Sequence, residues 1–305
     1  MKERYCPQVD KYFDSIIPIF DVLASNMFSS WEILRGKKSV YPLASDTMMS
    51  VQNTLRSVRF CLKNGAISDA NVLIRKYRDD LLQYLFVLKV VLENENLAPA
   101  FSIDSIVEIS EQDIIDAINR YMPLGEGADD KIRLSEAWAN STLSEEKKRR
   151  DYFDASKYER NLSQDTKIKY IFDYFQNWGP VGELLNNYVH TNGIKYLREK
   201  FNPDHREINI KKALEAIVLI TNVFMCILSI LDSRYFMSSD YMDYLDVGDA
   251  PPEGSQYWVA PCILDYLGEN LDTNMLDYIQ NNQDVEMKLK RELYDDSFNM
   301  EGYSK

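Results

Sequence analysis

Histidine, cysteine and basic charge are all scarce in this chain, and each shortage closes off a class of function. Two histidines, His190 and His205, and four cysteines, Cys6, Cys61, Cys226 and Cys262, occur in 305 residues. There is no Cys-x-x-C pair, and neither histidine stands at metal-ligand spacing from a cysteine. A zinc site and a disulfide framework therefore both lack support, and the cysteines read as free, mostly buried thiols. Lysine and arginine total 35 against 48 aspartates and glutamates, a formal net charge of −13. A field of that sign does not draw in nucleic acid, so RNA or a nucleotide can be held only by a local site. The one basic run, Lys147, Lys148, Arg149 and Arg150, lies among Glu145, Glu146 and Asp151 and reads as a solvated mixed-charge face. Gly-x-Ser-x-Gly and glycine-rich phosphate loops are absent, and no cofactor or metal is expected.

Long apolar runs are also few. Ala216 to Leu231 carries no charge over 16 residues. A membrane span needs about 20 predominantly apolar residues, and Thr221, Asn222 and Ser229 interrupt this run, so it reads as a central core helix and no membrane association is expected. The first residues, MKERYCPQVDKYF, lack the apolar stretch of a signal peptide, and the expectation is a cytoplasmic protein.

What the chain does have is helical periodicity between clumps of proline and glycine. Hydrophobic residues make up 45%, enough for a sizeable core. The pattern predicts helices over about 8–35, kinked or split at Pro18, and over about 46–63, stopped by Asn64-Gly65. A third runs over about 68–93, where Ala70, Ile74, Tyr77, Leu81, Tyr84, Leu88 and Val91 recur in steps of four and three. The short Asn64-Gly65 connection makes a hairpin of the second and third helices. Further helices are predicted over about 103–121, 165–178, 181–190, 209–232, 258–267 and 273–298. The charge-dense stretch 141–164 reads as an exposed helix or crossover. The fold class is all-α, a multi-helix bundle with long central helices. Residues 1–240 form the main bundle, and an acidic loop and helices within 241–305 pack on it.

Three constellations offer chemistry. His190 closes the run Asn186-Asn187-Tyr188-Val189-His190, with Asn187 one turn back on the same face. Histidine suits proton transfer near neutral pH. The structural account is equally simple, because a histidine in a last helical turn meets the free carbonyls and the negative end of the helix dipole. Arg75 and Asp79 stand four apart beside the apolar seam of the third helix, with Arg78 and Asp80 next to them. An arginine held by a carboxylate can grip a phosphate or carboxylate, or can merely fix packing. Asp240, Asp243, Asp246 and Asp249 recur every third residue, but they lack the alternate spacing and central glycine of a calcium loop and read as a solvated face.

The helix ending at His190, together with the long helix that carries Arg75 and Asp79, resembles the HEPN superfamily of helical-bundle proteins over roughly residues 46–232. Many of its members act as RNases in toxin–antitoxin, abortive-infection and CRISPR systems. Its motif is an arginine, then usually a polar residue, then a histidine closing a six-residue span. Asn186 and His190 match the last two positions, and Leu185 stands where the family has arginine. The resemblance implies a metal-independent RNase or nucleotide-processing enzyme, with Arg75 replacing the missing arginine in space.

Two main readings of function follow. The first is a binding or scaffold protein of a bacterial defence or stress system, taking a protein partner or a second copy of itself. The alternative is a HEPN-like RNase whose site is His190, Asn187, Arg75 and Asp79. A protein anchored to a membrane by the 216–231 run is the third.

Overall fold

The computed structural model describes residues 6–27, 32–33, 40–41, 43–94, 130–139, 141–190, 193–198, 206–238, 240, 244, 247–250, 252–255, 258–284 and 287–289. The helix expected over 103–121 lies outside the described residues. What is described is an all-α multi-helix bundle. Its α-helices of five residues or more are α1 (Cys6–Met27), α2 (Leu43–Asn64), α3 (Ile67–Asn94), α4 (Asp130–Ala139), α5 (Ala155–Leu162), α6 (Thr166–Tyr174), α7 (Trp178–Val189), α8 (Ile194–Arg198), α9 (Arg206–Leu231), α10 (Pro261–Asn270) and α11 (Thr273–Gln280). The strand content of the described residues is one antiparallel pair of two-residue strands, Glu32–Ile33 against Val40–Tyr41.

α3 is the axis. Ala70, Ile74, Tyr77, Leu81, Tyr84 and Leu88 are all at most 1% exposed, so the four-and-three spacing is a buried face. It is turned toward α9, where every residue from Ile220 to Ile230 is buried. The Tyr77 hydroxyl and Thr221 Oγ1 lie 2.7 Å apart, and Thr221 donates in turn to the Ile217 carbonyl at 2.7 Å. Phe20 of α1 sits edge-on to Tyr77 at 5.9 Å and stacks on Phe224 at 6.0 Å, so three helices meet in one aromatic knot. The long apolar run of α9 thus has its cover within the protein. Its length and composition alone would suit a membrane, but most of its side chains are buried in the fold.

The α2–α3 hairpin turns at Gly65, whose φ of 76° is left-handed. Its N–H donates to the Leu62 carbonyl at 3.1 Å, and that of Ala66 to the Cys61 carbonyl at 2.9 Å, which satisfies two orphan carbonyls at the end of α2. Arg59 and Lys63 of α2 clamp Asp10 of α1, with Arg59 also reaching Asp14. The C-terminal helices join the same core through Ile263, Leu267, Met275 and Ile279.

Three expectations about local structure need correction. α1 passes through Pro18 unbroken and ends at Met27 rather than near Arg35. Pro18 is exposed, so its missing N–H leaves a carbonyl that can reach water. The segment 141–164 is more than an exposed crossover, because α5 buries Tyr158, Asn161 and Leu162. Tyr158 and Phe153 close on Phe86 of α3 at 5.4 and 5.6 Å. Finally, α11 stops at Gln280. Beyond it Gln280 bonds both the Met287 carbonyl at 2.8 Å and the Leu289 N–H at 2.9 Å, so glutamine side chains hold the following segment where helical bonds were expected.

Leu81→Asp and Ile217→Asp each place an unpaired charge between α3 and α9, and each should cost about 3–5 kcal/mol in urea denaturation. Val72→Asp, on the open side of α3, should cost less than about 0.5 kcal/mol. Equal midpoints for all three would refute the core assignment. The chain should also stay in the high-speed supernatant without detergent, and recovery only with membranes would refute the reading of α9 as a core helix.

Candidate functional site

Polar chemistry gathers on the opposite side of α3 from α9. Arg75, Arg78 and Asp79 occupy one turn there, facing α5 and α7. Arg75 Nε donates to Asp79 Oδ2 at 3.2 Å. Arg78 is the more deeply placed arginine, at 7% exposure. Its Nη2 donates to Glu159 Oε2 of α5 at 3.0 Å, its Nη1 lies 3.7 Å from Asp79 Oδ1, and its guanidinium covers the Trp178 ring at 4.7 Å. Gly182, one turn along α7 from Trp178, leaves the space that the guanidinium fills. A Cβ there would stand 3.3 Å from the Arg78 Cζ. One guanidinium thereby ties three helices together through a charge pair, a cation–π contact and close backbone packing.

Burial governs the electrostatics of this turn. It pushes the Asp79 carboxyl above its usual range, against the pull of Arg78 and Arg75. It also lowers Arg78, against the pull of Asp79 and Glu159. Both partners are shifted toward their neutral forms, so desolvation outweighs their mutual attraction, as is common for ion pairs withdrawn from water.

Several of its atoms are incompletely bonded. Arg75 Nη1, Arg78 Nε, Trp178 Nε1, Asp79 Oδ1 and Asn186 Oδ1 are shielded from solvent and have no hydrogen-bond partner among the described residues. Trp178, Gly182 and Asn186 recur every fourth residue, so they share the face of α7 that meets Arg78. The seam therefore holds three unsatisfied donors and two unsatisfied acceptors. A ligand could reach them only if α3 and α7 spread.

Arg75 and Asp79 are thus paired, and α7, the helix leading to His190, packs against the helix that carries them. His190 itself is exposed and caps α7, its N–H donating to the Asn186 carbonyl at 3.0 Å. At 1.5 Å rise per residue it stands roughly 12 Å along the helix axis from Gly182. Asn187 is half-buried. His205, Asp243 and Asp246 lie outside the described residues, while Asp240 and Asp249 are exposed. Among the described residues no three His, Cys, Asp or Glu side chains gather as a metal site.

The sequence pattern favoured Arg75 over Arg78 and passed over Glu159, Trp178 and Gly182. One signal for Arg78 was there: it precedes Leu82 by four and Leu85 by seven, a second stripe on α3 that is also buried.

A second feature, also missed, is an aromatic platform on the surface. Tyr170 of α6 stacks on Tyr278 of α11 with ring centres 4.1 Å apart and planes at 27°. Tyr174, one turn on from Tyr170, lies 6.0 Å from it. The Tyr278 hydroxyl donates to the Lys167 carbonyl at 3.0 Å, and the Tyr174 hydroxyl donates to Asp272. That bond and the nearby charge of Asp272 push the Tyr174 phenol up to about 12. Tyr170 keeps 43% of its surface exposed. The signal was the Tyr170–Tyr174 spacing of four in a chain with 20 tyrosines.

Arg78→Met leaves Glu159 without its guanidinium and Asp79 with Arg75 alone, and should cost about 2–3 kcal/mol, below the full figure for a buried pair because Glu159 is about one-third exposed. Double replacement with Glu159→Gln should recover part of that loss in a denaturation cycle. The raised Asp79 makes a pH prediction with a definite sign. Its folded value exceeds the ordinary 3.8, so its contribution is complete below 3.8 and is lost as pH rises through the folded value. The stability of wild type relative to Asp79→Asn should therefore fall with rising pH in that window. A difference that rises with pH would contradict the burial argument. Compared with known proteins, the chain matches no family model, no curated protein and no solved structure.

Proposed function

We propose that this chain is a partner-binding helical-bundle protein of the defence or stress type, rather than an enzyme. The observation that carries the reading is the state of the groups a catalyst would need. Arg75 is paired with Asp79, Arg78 is held by Glu159 and Trp178 inside a helix seam, and His190 stands out in solvent at the end of α7. General acid–base chemistry asks for groups converging within hydrogen-bond reach of one reacting atom. Rigid aromatic surface, as at Tyr170 and Tyr278, is instead what recognition of a partner uses.

A metal-independent RNase of the HEPN type is the second reading. One observation favours it: α7 seats on α3 beside Arg78 at Gly182, so the helix of His190 and the helix of Arg75 share a seam. The two readings part in one assay. Purified protein incubated with labelled single-stranded RNA in EDTA should leave the RNA intact to the level of a buffer control. Cleavage that disappears in both His190→Ala and Arg75→Ala, with melting temperatures unchanged, would overturn the binding-protein reading in favour of the RNase.

A further inference from the structure

The Tyr170–Tyr278 stack is an exposed aromatic surface whose geometry is locked from behind. The Tyr278 hydroxyl is tied to the Lys167 carbonyl and the Tyr174 hydroxyl to Asp272, so the rings that reach solvent are held in place before any partner arrives. Pre-ordering of this kind lowers the entropy lost on binding.

The surrounding charge selects the occupant. Asp165 caps α6 through the N–H groups of Lys167 and Ile168, and Asp272 caps α11 through that of Met275. Both carboxylates border the tyrosines: Asp272 accepts from Tyr174, and Asp165 caps the turn whose Lys167 carbonyl receives the Tyr278 hydroxyl. Neither has an ion-pair partner among the described residues, whereas Lys169 is neutralised by Asp173 at 2.8 Å, and the Lys167 ammonium is turned to the Asn282 carbonyl at 3.5 Å. The faces of aromatic rings attract cations, and the uncompensated carboxylates add to that attraction. The same carboxylates, on a chain of net charge −13, repel phosphate. Nucleic-acid bases stacking on the rings would have to bring their phosphates into that field.

We propose that the Tyr170–Tyr174–Tyr278 platform, bordered by Asp165 and Asp272, is a docking site for an arginine-bearing basic segment of a protein partner. A guanidinium lies flat on the Tyr170 ring and its positive charge faces the carboxylates. Arginine suits the site better than lysine because its planar, weakly hydrated group stacks on a ring while donating to oxygens at its edge. This inference rests on the binding-protein reading and names the class of partner.

The probe is fluorescein-labelled hexa-arginine, titrated with the full chain and followed by anisotropy. Saturable binding is expected, weakening as salt is added and weaker for hexalysine. Tyr170→Leu keeps the charge of the protein, so generic attraction to an acidic surface is unaltered. It should nevertheless weaken binding roughly two- to fivefold, the range for an exposed cation–π contact. Tyr170→Phe keeps the ring and should bind as wild type does. Should the leucine variant fail to fold, the ring-proton NMR signals of Tyr170 in the wild-type chain must still shift on titration with hexa-arginine. Absence of binding, equal binding by the wild-type and leucine proteins, unshifted ring signals, or preferential binding of oligouridine to these rings would each overturn the proposal. Such failures would leave the binding-protein reading standing, whereas RNA cleavage dependent on His190 would remove that reading without touching the peptide result.

Discussion

The structure depends on the burial of α3 on two sides at once. A helix of 28 residues that is covered on one face can be an ordinary amphipathic element, with its polar groups in water on the other. α3 is given little such relief over its middle, where Tyr77, Arg78, Leu81, Leu82 and all of Tyr84 to Leu88 are buried. One side is taken by α9 and the other by α5 and α7. Any polar residue on that second side must find its partners inside the protein, and Arg78 is the residue for which the surrounding helices provide them.

From that constraint the arrangement of the middle of the chain follows. Glu159 fixes how α5 crosses α3, since it must reach the Arg78 guanidinium. Trp178 gives that group an aromatic face, and Gly182 lets the α7 backbone come close enough to confine it. The same three contacts occupy the guanidinium of a cluster that resembles a catalytic constellation in composition. Its charges face each other, and withdrawal from water pushes both Asp79 and Arg78 toward their neutral forms. On the far side the uncharged pairing of Tyr77 with Thr221 does the comparable work at a lower desolvation cost.

The surface chemistry is set by different means. Helix capping places Asp165 and Asp272 at the starts of α6 and α11, and the packing of those two helices puts Tyr170 on Tyr278. Residues present for local reasons, two caps and two helix-face tyrosines, together make an acidic-edged aromatic platform. None of the four identifies it alone.

How much could be read in advance depended on the range of the interaction. The four-and-three spacing from Ala70 to Leu88, the Asn64-Gly65 stop and the charge-free run of α9 are local patterns, and they determined the all-α class, the α2–α3 hairpin and the pairing of α3 with α9. Side-chain periodicity encodes which face of a helix is buried, and two long apolar faces in one chain must cover each other. The same patterns marked Arg75, Asp79, Asn187 and His190 as chemically able, because residue type and helical spacing are local too. Only the tertiary structure decided that Arg78 is the buried arginine, that its partners come from residues 159, 178 and 182, and that Tyr170 meets Tyr278 across more than a hundred residues. These contacts are fixed by how helices cross, and crossing is set by the summed packing of many side chains and written in no single stretch of sequence.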